Sequence, residues 1–148
     1  MNNKKGVSMI EIIISIIILL IIAFFAVYNS RNSVGKAKLA EVYSEMISVQ
    51  NAVEYVKSRM ITENNFALEE GVHYDDEVTV NDKEYKWIYG YLNHDACPSA
   101  ENLGLNSLKR DYLIDYDDGD FMLKDYVDIQ GIQVRTLQEV NSLRNSGI

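Results

Sequence analysis

The feature that most limits what this chain can become is its apolar run, Val7-Ser-Met-Ile-Glu through Tyr28. At about 1.5 Å per residue, a helix over residues 7–28 is about 33 Å long, enough to cross a hydrocarbon layer of about 30 Å. The uninterrupted apolar core is Ile16–Tyr28. Asn2, Asn3, Lys4 and Lys5 precede the run, and their positive charge favours keeping that flank cytoplasmic, with the rest of the chain outside. A secretory signal peptide has a shorter apolar stretch and a small-residue cleavage site, which this run lacks. A plain anchor does not account for Glu11, which sits one turn inside the run. An ionised carboxylate there costs about 2–3 kcal/mol or more unless something pairs with it.

The remainder is polar and acidic. Apart from Lys4 and Lys5, the chain carries ten more acidic than basic side chains. Phosphate contact rewards Lys and Arg, so no nucleic-acid partner is expected. Cys97 is the single cysteine, which excludes an intramolecular disulfide; outside the cell it could pair between chains, but it reads more readily as a small buried apolar residue.

Residues 29–35, NSRNSVG, are weak helix formers and mark the outer membrane boundary and a soft point. Leu39, Val42, Met46, Val49, Val53, Val56 and Met60 then form one apolar stripe at helical spacing. Lys36, Lys38, Glu41, Glu45, Asn51 and Lys57 are expected on other faces. The stripe predicts a helix packed on its own domain rather than a coiled coil. Beyond Thr62 the period becomes two. Val78–Val80 and Glu84–Leu92 around Asn81-Asp82-Lys83 predict a hairpin, with Tyr85, Trp87, Tyr89 and Tyr91 on one face. Ala96–Asn106 reads as a loop. Asp111–Tyr116 and Phe121–Lys124 flank a second turn, and Thr136-Leu-Gln-Glu139 has capping-box spacing before a short terminal helix.

Lys5-Gly6-Val7-Ser8-Met9-Ile10-Glu11 and the run behind it resemble the type IV prepilin signature of the pilin and pseudopilin family. A short basic leader ends in glycine, and a glutamate follows at the fifth place after it. The resemblance implies cleavage after Gly6 by a prepilin peptidase, N-methylation of Val7, and an assembly salt bridge from Glu11 to a neighbouring subunit's Val7 amine. It implies a pilin-like α+β fold: leader 1–6, filament-core or transmembrane helix 7–28, amphipathic continuation 29–61, and a β-rich head 62–148. The implied function is that of a pilin or minor pilin in a type IV pilus-like filament. Its partners would be other pilin subunits, the peptidase, an assembly platform and, before assembly, the membrane. The final localisation would be an extracellular filament. Alternatives are a secretion or competence pseudopilin and a single-pass anchored exodomain. YLIDYDDGDFML over residues 112–123 also resembles hairpins of pilin-like proteins from Gram-positive anaerobes. Tyr28 stands where many members have a proline, so residues 29–35 are the expected soft segment instead.

A few other side chains have the chemistry of metal ligands. Asp115, Asp117, Asp118 and Asp120 invite calcium, but glycine and glutamate fall at the wrong places for an EF-hand loop. His73 near Asp75 and Asp76, and His94 near Asp95 and Cys97, form weak metal sets. No nucleophile elbow, phosphate loop or paired catalytic carboxylates are recognisable, so no enzyme activity, metal or cofactor is expected.

Overall fold

The computed structural model describes residues 9–62 and 74–147. One helix, α1 (Met9–Thr62), runs through 54 residues, about 80 Å. It continues without a break through residues 29–35. Ser15 and Ser33 hydroxyls donate to the carbonyls four residues earlier, at 2.7 and 3.1 Å, which absorbs these polar side chains within the helix.

The head is built on the second half of α1. Strands β1 (Asp76–Val80), β2 (Lys83–Ile88), β3 (Tyr112–Asp115) and β4 (Asp120–Leu123) form an antiparallel sheet in that order. β1 and β2 join at Asn81-Asp82, both at positive φ (51° and 61°), the conformation of a two-residue hairpin turn that suits right-twisted strands. A second hairpin, β5 (Val127–Ile129) and β6 (Ile132–Val134), turns at Gln130-Gly131. Between β2 and β3 the chain carries a short helix, α2 (Pro98–Asn102), with proline in its first turn. The closing helix, α3 (Leu137–Asn145), packs on α1.

Sheet register separates two faces. Ile88, Tyr112, Ile114 and Leu123 point at α1 and bury with Leu39, Val42, Met46, Val49, Val53 and Val56. The apolar stripe is therefore the head's core, with Met60 only partly buried at its end. Tyr85 and Trp87 share the other face with Leu113 and Met122. β2 stops at Ile88, short of the expected Leu92, so Tyr89 and Tyr91 belong to the connection. Gly90 lies so close to the neighbouring chain that an added Cβ would sit 2.5 Å from the Arg110 backbone. Glu45 is also corrected: expected on an outer face, it is buried against the sheet.

The terminal helix matches its expectation. Thr136 caps α3, its hydroxyl accepting from the Glu139 N–H at 3.3 Å, while the Glu139 carboxylate accepts from the Thr136 N–H at 2.9 Å. These hydrogen bonds, with that from the Arg135 N–H, hold the Glu139 carboxyl below its usual range.

Candidate functional site

The first half of α1 has none of the covering that the second half receives. From Met9 to Val34 every residue is exposed, and the burial of α1 begins at Gly35. More than a dozen Ile, Leu, Val and Phe side chains are left half or more accessible. At about 1.5–3 kcal/mol for each such side chain fully buried, covering this surface is worth tens of kcal/mol. Lipid or other apolar helices can supply that cover. Among residues 9–30 the one charged side chain is Glu11, in the first turn of α1. Gly6 and Val7 lie outside the described residues, as do Lys4, Lys5 and His73.

The head meets this helix at a tight seat. The Gln130 side chain of the β5–β6 turn lies directly on Gly35, where an added Cβ would fall within 2.0 Å of it. Its amide donates towards the carbonyls of Arg31 and Asn32, both at 3.4 Å. Glycine at 35 thus allows the turn to rest on the helix backbone.

Higher up, Glu45 ties α1 to the sheet. One carboxylate oxygen accepts from the Tyr112 hydroxyl at 3.0 Å; the other accepts from the Lys109 N–H at 3.0 Å and faces the Arg110 guanidinium at 3.4 Å. Burial and the adjacent Glu45 charge push the Tyr112 hydroxyl far above its ordinary value. Glu41, one turn below, pairs with Lys109 at 2.8 Å; that hydrogen bond holds its carboxyl below the usual range. A second buried carboxylate, Asp111, organises the β2–β3 connection. It accepts from the Gly90 N–H at 2.8 Å and the Trp87 indole at 3.3 Å, and faces His94 at 3.4 Å.

Most of the described groups that could hold a metal have other partners. Asp115, Asp118 and Asp120 converge on the Lys83 ammonium at 2.9, 2.9 and 2.7 Å, so a tethered cation fills the centre of the acidic turn. Burial opposes charging Asp115, but Lys83 and the N–H groups of Asp117 and Asp118 prevail and lower its pKa. His94 stacks on Tyr89 with ring centroids 3.7 Å apart. Cys97 is buried, its sulfur 3.8 Å from the His94 carbonyl oxygen rather than its ring, and burial pushes its thiol pKa up. Asp75 accepts from Tyr89 N–H and the Ser99 hydroxyl, both at 2.9 Å. The other head cations are engaged too. Lys86 pairs with Glu77 and Glu84, Lys57 and Arg135 donate to the carbonyls of Asp118 and Leu123, and Lys124 and Arg144 lie over Trp87 and Tyr43.

Residues 1–27 match the family model of the prokaryotic N-terminal methylation motif. The chain therefore carries the class III signal of type IV pilins and pseudopilins, and the motif supports a precursor of that class. A long N-terminal helix followed by a small antiparallel head is an α+β, pilin-like architecture. The signal points to a structural protein rather than an enzyme, and it implies processing by prepilin peptidase and assembly with other pilins. No curated protein and no solved structure matches the chain.

The sequence carries no local mark of the roles of Glu45, Asp111 and Lys83. A carboxylate on a helix flank has no local mark of burial; only the later Lys109-Arg110-Asp111-Tyr112 segment supplies its partners. The β5–β6 hairpin did leave a signal, since Val127, Ile129, Ile132 and Val134 alternate around Gln130-Gly131.

Proposed function

We propose that the chain is a structural subunit of a type IV pilus-like filament, made as a membrane-held precursor and then drawn into a bundle of like helices. Peptidase cleaves after Gly6, and Val7 becomes the methylated N-terminus. The carboxylate of Glu11 then meets the Val7 amine of an adjacent subunit, and each neutralises a charge that apolar surroundings would otherwise penalise. A subunit shifted along the bundle separates both charges from their mates, so the pair sets axial register. Apolar contact between the helices supplies the cohesion.

The observation that carries this reading is the exposed apolar half of α1 with one acid in its first turn, behind a methylation motif. In the membrane, lipid covers that half; in the filament, neighbouring helices do. The head stays outside on the stalk.

Mass spectrometry of the protein from its native membrane should give a mature chain beginning at methylated Val7. Glu11→Ala should abolish filaments while the head stays folded. An intact Met1, cleavage beyond Tyr28, or full assembly by Glu11→Ala would refute the reading. If that variant is merely retained better in the membrane, with no assembly by either form, the chain is an anchored exodomain.

A further inference from the structure

Three cations flank the place where the apolar half of α1 meets the head: Arg31 just before Gly35, and Lys36 and Lys38 just after it. In contrast with the engaged cations of the head, none of the three has a side-chain hydrogen bond, ion pair or ring contact among the described residues. They are also the only charged residues between Glu11 and Glu41. An unpaired positive belt on an otherwise acidic body calls for an anionic partner from outside the chain.

We infer that Arg31, Lys36 and Lys38 form a collar for anionic lipid headgroups, which seats the head on the outer leaflet while the precursor waits in the membrane. Height places them there. With Tyr28 at the end of the apolar run, Arg31 lies about 5 Å, Lys36 about 12 Å and Lys38 about 15 Å further along the axis. The headgroup layer is about 5–7 Å deep, and a charge is felt across a further Debye length of about 8 Å. Arg31 therefore enters the layer, and the two lysine stems reach down towards it.

Direction favours a membrane over a neighbouring protein. At about 100° per residue, Arg31 and Lys38 lie close together on the helix circumference, while Lys36 projects from the other side of the head's attachment. A single docked protein meets a helix from one side, whereas a bilayer surrounds it. The β5–β6 turn descends to the level of Arg31 and leaves Ile132 exposed there, so the underside of the head is at the same height. Asp128 opposes the attraction in part, although its carboxylate accepts from the Gly131 N–H at 3.1 Å. The belt also has a cost. Cations beyond the span work against placing the head outside, since the leader contributes only Lys4 and Lys5 to the other flank.

This inference rests on the membrane stage of the proposed function and not on filament assembly. The test uses the full chain reconstituted in mixed phosphatidylglycerol and phosphatidylcholine vesicles, with spin-labelled forms of each lipid reporting the annulus. Wild type should prefer phosphatidylglycerol by roughly threefold or more at low salt, and 1 M salt should erase the preference. The R31Q/K36Q/K38Q variant should lose more than half of it, whereas K4Q/K5Q should lose less than the neck variant. An undiminished preference in the neck variant overturns the inference. So does lost filament yield with an unchanged annulus, which would assign the belt to acidic heads of neighbouring subunits. A chain that does not float with the vesicles overturns this and the membrane stage together.

Discussion

Replacing Glu45 by alanine tests how α1 is fastened to the sheet. Two donors are stranded: the hydroxyl of fully buried Tyr112 and the N–H of Lys109. Stranding the buried Tyr112 hydroxyl costs about 1–3 kcal/mol, and the part-buried Lys109 N–H loses a charge-assisted bond worth about 1.5–3 kcal/mol. Arg110 loses its nearer carboxylate but keeps Glu41 at 3.7 Å, so its share is small. Together these give a loss of about 3–5 kcal/mol, a large fraction of the ordinary stability of a domain this size. Trp87 is the single tryptophan, and its indole donates to Asp111, so its fluorescence reports unfolding of the head in detergent. With a urea slope of about 2 kcal/mol/M, the middle of the ordinary range, the midpoint should fall by about 1.5–2.5 M. The pairing itself is read from a double-mutant cycle. Tyr112→Phe alone should cost about 2 kcal/mol, but in the Glu45→Ala background it should cost little or even stabilise, because it removes the orphaned hydroxyl. A Glu45→Ala loss below about 1 kcal/mol, or an equal Tyr112→Phe cost in both backgrounds, would refute the assignment.

Gly90→Ala should cost about 1–3 kcal/mol in the same assay, because the Arg110 backbone at 2.5 Å cannot give way as a side chain can. Lys83→Met should lower stability slightly, and millimolar calcium should restore part of the loss in the variant while leaving wild type unchanged. Glu139 has a folded pKa below its unfolded one, so its contribution is present above about pH 4.5 and vanishes as pH falls through the folded value. Glu139→Gln should accordingly flatten the acid limb of the stability profile, read by circular dichroism between about pH 5 and pH 3.

Legibility followed the range of the interactions. The α1 stripe from Leu39 to Val56, the turn at Asn81-Asp82, the Asp117–Asp120 turn and the Thr136 cap are each fixed by neighbours in sequence, and each could be read there. β2 was overextended because the alternating aromatics continue to Tyr91, while what ends the strand is the approach of Arg110 and Asp111 from far along the chain. Within α2, Pro98 is a helix-starting residue that reads equally well as a loop breaker. Glu45 was misassigned because charge normally marks the solvent side, and its compensating donors lie more than sixty residues away. Of the candidate site, the apolar half of α1 was fully legible, since it needs no tertiary partner to be recognised. That Arg31, Lys36 and Lys38 have no side-chain partner among the described residues was not, because it becomes visible only when the other cations are seen to be taken.

An unbroken α1 makes the protein a lever. The segment within the head, Gly35 to Thr62, extends about 41 Å beyond the seat of Gln130. Tilting the spanning half by about 20°, an ordinary inclination for a membrane helix, would swing the far end of the head by about 14 Å. A change of inclination of that half would therefore re-aim the whole head while every contact inside it stays as it was.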